Sequence, residues 1–119
     1  MEKNFDSEDH ASAIKFYSEE IEKNPEVATN YNNRGYAYSK LGENVKAILD
    51  FTKAIELDYK NETCYNNRGL CYYESGEYEK AIRDFTKIIE LNTDDYGDLI
   101  CLVRSGVELA YKNLANCYR

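Results

Sequence analysis

The chain has 119 residues, 43% of them apolar and 31% charged, with a single proline, which is the composition of one soluble globular domain. Its formal net charge is −7, with acidic and basic residues interleaved. Nucleic-acid and anionic-membrane surfaces each need a basic patch, so both are excluded as partners. No stretch reaches the roughly 20 apolar residues that span a bilayer, and the acidic start MEKNFDSEDH is no secretory signal; the cytoplasm is the expected location.

The first predicted element is a helix over residues 8–24, where Ala13, Ile14, Tyr17 and Ile21 recur at helical spacing ahead of Pro25. His10, the one histidine, lies in its polar lead-in beside Asp9 and reads as a solvated surface residue. Next come residues 28–61, ATNYNNRGYAYSKLGENVKAILDFTKAIELDYKN. Residues 62–95, ETCYNNRGLCYYESGEYEKAIRDFTKIIELNTDD, repeat them without a gap. The pentapeptide YNNRG recurs 34 residues on, and so do Tyr38 as Tyr72, Gly42 as Gly76, Ala47 as Ala81, Asp50 as Asp84 and Phe51 as Phe85. A fixed period of this size marks stacked supersecondary units.

Within a unit the apolar residues come in two bursts at helical spacing: Tyr31, Gly35 and Tyr38, then Ala47, Ile48, Phe51, Ala54 and Ile55. Leu41-Gly42-Glu43-Asn44 lies between them, with Gly42 suited to the left-handed conformation that ends a helix. Each unit therefore reads as helix, tight turn, helix. Gly35 and Gly69 face Ala47 and Ala81 to let the axes approach, with the aromatic residues filling the space around the contact. One such hairpin cannot bury its apolar face alone.

After residue 95 the pattern loosens. In strict phase Tyr96 opens another unit, yet Tyr111-Lys112-Asn113-Leu114-Ala115-Asn116-Cys117-Tyr118 looks more like a first helix displaced by twelve residues. Apolar residues at helical spacing from Leu99 to Tyr118 favour one long closing helix over about 95–117, a bent helical pair being the alternative.

The unit resembles the tetratricopeptide repeat, whose 34-residue pattern sets aromatic, small and aromatic residues on a first helix and alanine, aromatic and alanine on a second. The first full unit supplies Tyr31, Gly35, Tyr38, Ala47, Phe51 and Ala54; the second supplies Tyr65, Gly69, Tyr72, Ala81 and Phe85, with Ile88 where alanine is usual. Ala13, Tyr17 and Pro25 match the second helix of a preceding repeat whose first helix is almost absent. The resemblance implies an all-α right-handed superhelix of antiparallel helix pairs with about six helices. It implies a single domain over 1–119: a partial repeat at 1–27, full repeats at 28–61 and 62–95, and a closing helix or degenerate repeat at 96–119.

Reaction machinery is missing from the sequence. It has no phosphate-binding glycine loop and no nucleophile elbow, and the carboxylates spread along helical faces as solvated charges do. Cys64, Cys71, Cys101 and Cys117 read as small buried hydrophobes. Cys64 and Cys71 stand about 10 Å apart by helical rise, too far for a disulfide, and with one His and no CxxC a zinc site is not expected. The expectation is a non-enzymatic protein without metal or cofactor.

A partner-binding face is the functional expectation. In the family, residues at the places of Asn32, Asn33 and Tyr36, and of Asn66, Asn67, Leu70, Tyr73 and Glu74, line the concave groove. Asparagine offers both donor and acceptor, so these residues can bracket the amides of an extended peptide. The competing reading is that the asparagines order the helix pair. Tyr36, Leu70 and Tyr73 would bury apolar side chains of a partner protein, and acidic surroundings including Glu74 would favour a neutral or basic one. Arg34 and Arg68, where the family more often has leucine, are placed to pair with Asp50 and Asp84. Chaperone-binding members grip a terminal carboxylate with lysines four residues before the groove asparagines; here those places hold Thr29 and Thr63, so that clamp is not expected. The alternative function is a self-assembling module that oligomerises through its terminal helices.

Overall fold

The structure, a computed structural model, describes residues 7–93 and 106–117. Among the described residues there are six helices and no strand: α1 Ser7–Lys23, α2 Ala28–Lys40, α3 Asn44–Leu57, α4 Glu62–Glu74, α5 Tyr78–Thr93 and α6 Gly106–Cys117. The all-α architecture read from the sequence is the one observed. The chain divides into two compact units, Met1–Tyr59 and Lys60–Arg119.

In the first unit α2 packs against both α1 and α3. The α2–α3 turn is fixed by Gly42, whose φ of +81° is open to glycine without a Cβ penalty. There the Gly42 N–H donates to the Ser39 carbonyl (3.0 Å) and the Glu43 N–H to the Tyr38 carbonyl (2.9 Å), so the last carbonyls of α2 are satisfied as the chain reverses. Below the turn, Gly35 lets the two helices meet: a Cβ there would lie 2.7 Å from Phe51 Cε1. Phe51, Ala47 and Ala54 are consequently sealed from solvent. The Tyr31 hydroxyl donates to the Pro25 carbonyl (3.0 Å), tying α2 to the turn that follows α1.

The second unit repeats this plan with α4 and α5. Gly76 turns at φ +82°, the Glu77 N–H donates to the Tyr72 carbonyl at 2.9 Å, and a Cβ on Gly69 would stand 2.6 Å from Phe85 Cε1. Helix α4 adds a side-chain cap: Asn61 Oδ1 accepts from the backbone N–H groups of Thr63 (3.0 Å) and Cys64 (3.3 Å). Ile88, in the place of Ala54, is buried against this core. Helix α6 packs on α5 and on α4; the expected closing helix over about 95–117 falls in part outside the described residues, and within it Gly106–Cys117 are helical.

Cys64 and Cys71 are buried, as expected of small hydrophobes, Cys117 is half-buried with its thiol pushed upward by burial, and Cys101 lies outside the described residues. His10 corrects the sequence reading. It lies within α1, which begins three residues ahead of it, and is only 9% exposed in the lining of the space between α1 and α2 instead of in a solvated lead-in. Among the described residues no helix is long and apolar enough to cross a membrane.

Candidate functional site

Helix α2 spends one face on the core, through Tyr31, Gly35 and Ala37. The next face along carries Asn33 and Tyr36, two of the expected partner-binding residues, and both line an open cleft of about 500 Å3 between α1 and α2. Its other wall is α1, where Ala13, Phe16 and Tyr17 line it together with the polar Asp9, His10 and Ser12. Two large rings stand half in water here, Phe16 at 54% and Tyr36 at 47% exposure. The Lys40 ammonium lies 5.0 Å from the centre of the Tyr36 ring, a placement that favours the ring's π face. Asn32 is half-buried on the same helix but outside the cleft. Chemically, the cleft offers apolar contact area together with the polar groups of Asp9, His10, Ser12 and Asn33.

On α4 the core takes Cys64, Tyr65, Gly69 and Cys71. Asn66, Asn67, Leu70 and Tyr73 remain half-buried and Glu74 is exposed. Tyr73 leans against Tyr78 with ring centres 5.5 Å apart, which holds one face of it while leaving the rest available. Asn66 is engaged within its own unit: Asn113 Nδ2 of α6 donates to its Oδ1 at 3.2 Å. One of the eight expected site residues is thus also a joint between helices, which favours the architectural reading for that asparagine. The sequence reading missed Phe16 and Asn113. Phe16 stands where the two full repeats carry Asp50 and Asp84, and Asn113 stands in the displaced register that begins at Tyr111.

Beneath these faces the expected Arg–Asp pairs are formed, once in each unit. Arg34 Nε and Nη2 donate to the two carboxylate oxygens of Asp50, both at 2.8 Å, and its Nη1 donates to Ser18 Oγ of α1 at 3.1 Å. Arg68 grips Asp84 in the same fork at 2.9 and 2.7 Å. Each bidentate pair locks a first helix to its second at one rotation about the axis. Tyr38 is flanked by the Arg34 guanidinium (5.9 Å) and the Lys46 ammonium (5.6 Å), and Tyr72 likewise by Arg68 (5.8 Å) and Lys80 (5.6 Å). The hydrogen bonds to Asp50 and Asp84 hold both guanidinium groups above their ordinary value, while burial pushes the Asp84 carboxyl up and Arg68 draws it back only in part. These side chains are the frame that presents the asparagines and tyrosines.

Residues 28–58 and 63–95 match the tetratricopeptide repeat, more than half of the chain. The chain belongs to the tetratricopeptide-repeat family. Solved tetratricopeptide-repeat (TPR) structures share its fold. The TPR domain of Arabidopsis OM64 is 29% identical over 92% of this chain and 83% of that one, with a TM-score of 0.74. The TPR2B domain of yeast Sti1, in its complex with pHsp70, is 27% identical over 92% and 85%, with a TM-score of 0.76. The second TPR domain of human RPAP3, in complex with the HSP70 peptide SGPTIEEVD, is 24% identical over 93% and 82%, with a TM-score of 0.76, a likeness of fold alone. Among curated proteins no relative matches this tetratricopeptide-repeat chain.

Proposed function

We propose that this tetratricopeptide-repeat chain is a protein-binding adaptor without catalysis of its own, holding a segment of another protein on the faces of its first helices α2 and α4. The observation that carries the reading is that both helices keep aromatic and amide side chains which their own core does not use, with Tyr36 half exposed above a cleft. Asn32, Asn33 and Tyr36 would act on α2, and Asn67, Leu70, Tyr73 and Glu74 on α4, with Asn66 shared with α6. The complex of the yeast Sti1 TPR2B domain with pHsp70 supports a peptide as ligand for this fold. The acidic tail of the RPAP3 ligand is not the ligand for this chain, because Thr29 and Thr63 stand where cations are needed and an unpaired carboxylate then loses its charge-assisted bonds. A neutral or basic segment fits a chain of net charge −7. Buried cysteines such as Cys64 and Cys71, about two turns apart on one helix and beyond disulfide reach of each other, suit a reducing compartment, the cytoplasm.

Affinity capture from host lysate, read by mass spectrometry, tests the proposal. The parent is compared with Tyr36→Ala/Tyr73→Ala after circular dichroism shows that the variant keeps its helix content, with SGPTIEEVD added as a competitor. We expect the partners retained by the parent to fall by about tenfold or more with the variant, the loss of about 1.4 kcal/mol or more that aromatic contacts supply, and SGPTIEEVD to displace none of them. Partners that stay with the variant, or leave with the peptide, contradict it.

A further inference from the structure

The two full repeats define what a second helix packs against. Ala47 and Phe51 on α3, and Ala81 and Phe85 on α5, have no exposure because a first helix lies on them with a glycine at the contact. Helix α1 carries the same signature, Ala13 and Tyr17 34 residues ahead of Ala47 and Phe51, yet both are only half-buried and Phe16 beside them is 54% exposed. These three side chains line the α1–α2 cleft.

Helix α6 is the complementary half. Its sequence from Tyr111 to Tyr118 aligns with Tyr65 to Tyr72, and Asn113, in the place of Asn67, reaches Asn66 of the preceding first helix. It packs on α5 as α2 packs on α1. The residue in the place of Gly35 and Gly69 is Ala115, and it is exposed, whereas those glycines are buried beneath Phe51 and Phe85.

One substitution decides which helix fits the α1 cleft. Both full repeats join their helices through a buried ion pair, Arg34 with Asp50 and Arg68 with Asp84. On α6 the arginine place is Leu114, and on α1 the aspartate place is Phe16. Both places are apolar, so α6 and α1 meet without an unpaired charge, whereas an arginine on Phe16 or an aspartate on Leu114 would be buried uncompensated.

We infer that α6 of one copy docks in the α1 cleft of a second, completing between two chains a repeat in which Leu114 lies on Phe16 and Ala115 on Tyr17. The match covers the Ala13–Tyr17 turn; one turn on, Glu20 replaces the buried Ala54 and Ile88 and ends the apolar surface. The contact is head-to-tail, so each added copy presents a fresh cleft or a fresh α6, and assembly is open-ended unless it closes into a ring. The apolar match of Leu114 with Phe16 is the observation that supports self-association. The inference stands apart from the adaptor reading, since a chain that stays single still offers α4 to a partner.

Sedimentation velocity over a range of concentrations tests it. The parent is expected to grow beyond one 13.8 kDa chain as concentration rises. Phe16→Asp and Leu114→Arg, each confirmed as folded by circular dichroism, should each weaken association by about a hundredfold or more, because either buries a charge against an apolar side chain. An equimolar mixture of the two variants should associate again, the two chains alternating. In that mixture the two substituted places regain the Arg–Asp pair of the full repeats, and the unsubstituted Leu114 of one variant meets the unsubstituted Phe16 of the other as in the parent. A parent that remains a single chain at every concentration, or variants that associate like the parent, would overturn the inference; so would a mixture that stays single.

Discussion

Phe85→Ala is expected to lower the unfolding free energy by about 3–5 kcal/mol, the range for removing a buried aromatic ring without relaxation of its surroundings. The site has little means of collapsing. Phe85 has no exposure, and what faces it is the bare backbone of Gly69, 2.6 Å from the ring edge to the place of a Cβ. Removing the ring leaves a void between two helix backbones, with no long side chain on Gly69 to move in. Urea denaturation followed by far-ultraviolet circular dichroism measures the loss as a shift in midpoint. Tyr17→Ala is the internal comparison: the same repeat place, half-buried in the single chain, so a loss well below that of Phe85→Ala is expected at concentrations where the protein is one chain. A loss at Phe85 under about 1 kcal/mol, the contribution of a single methylene, would mean that the ring does not hold α4 to α5.

Asp84→Ala is the second large effect. It takes the carboxylate partner from the Arg68 guanidinium, whose side chain is 18% exposed, and removing one partner of a buried pair costs about 3 kcal/mol or somewhat more. Replacing both partners tells a different story. Arg68→Leu/Asp84→Val is expected to be neutral or to stabilise by about 1–4 kcal/mol, since neither charge then has to leave water. The pH dependence has a definite sign. The Asp84 carboxyl is raised in the folded chain by burial, so its contribution to stability is fully present below the usual carboxylate value of about 4 and is lost as pH rises through the raised value. The advantage of the apolar pair over the parent should therefore be larger at neutral pH than in acid. Equal stability of Asp84→Ala and the parent, or an advantage that shrinks as pH rises, would contradict this account.

The repeat was legible because its physical constraints recur in unbroken phase. A glycine that must admit a phenylalanine, an arginine that must meet an aspartate and a glycine that must turn with positive φ each leave the same letter 34 residues on. Those constraints fixed α2 to α5 and both ion pairs. What escaped reading lay where the phase or the letter changes. Asn113 bonds Asn66 from 47 residues away, through a first helix displaced from the period, so no fixed offset pointed to it. Phe16 occupies an aspartate place and therefore dropped out of the comparison. His10 looked solvated because its sequence neighbours are charged, although burial depends on the face it occupies on α1. The asparagine faces were legible as positions on helices, but which of their groups a neighbouring helix uses depends on packing that sequence spacing does not contain.

The most direct test of the adaptor account is amide chemical-shift mapping of the labelled chain, titrated with the segment of a captured partner that suffices for retention. The account predicts perturbations concentrated on α2 at Asn32, Asn33 and Tyr36 and on α4 at Asn67, Leu70, Tyr73 and Glu74. Shifts confined to the outer faces of α3 and α5, around Val45 and Leu49 or Glu79 and Arg83, would place the partner on the second helices and contradict it.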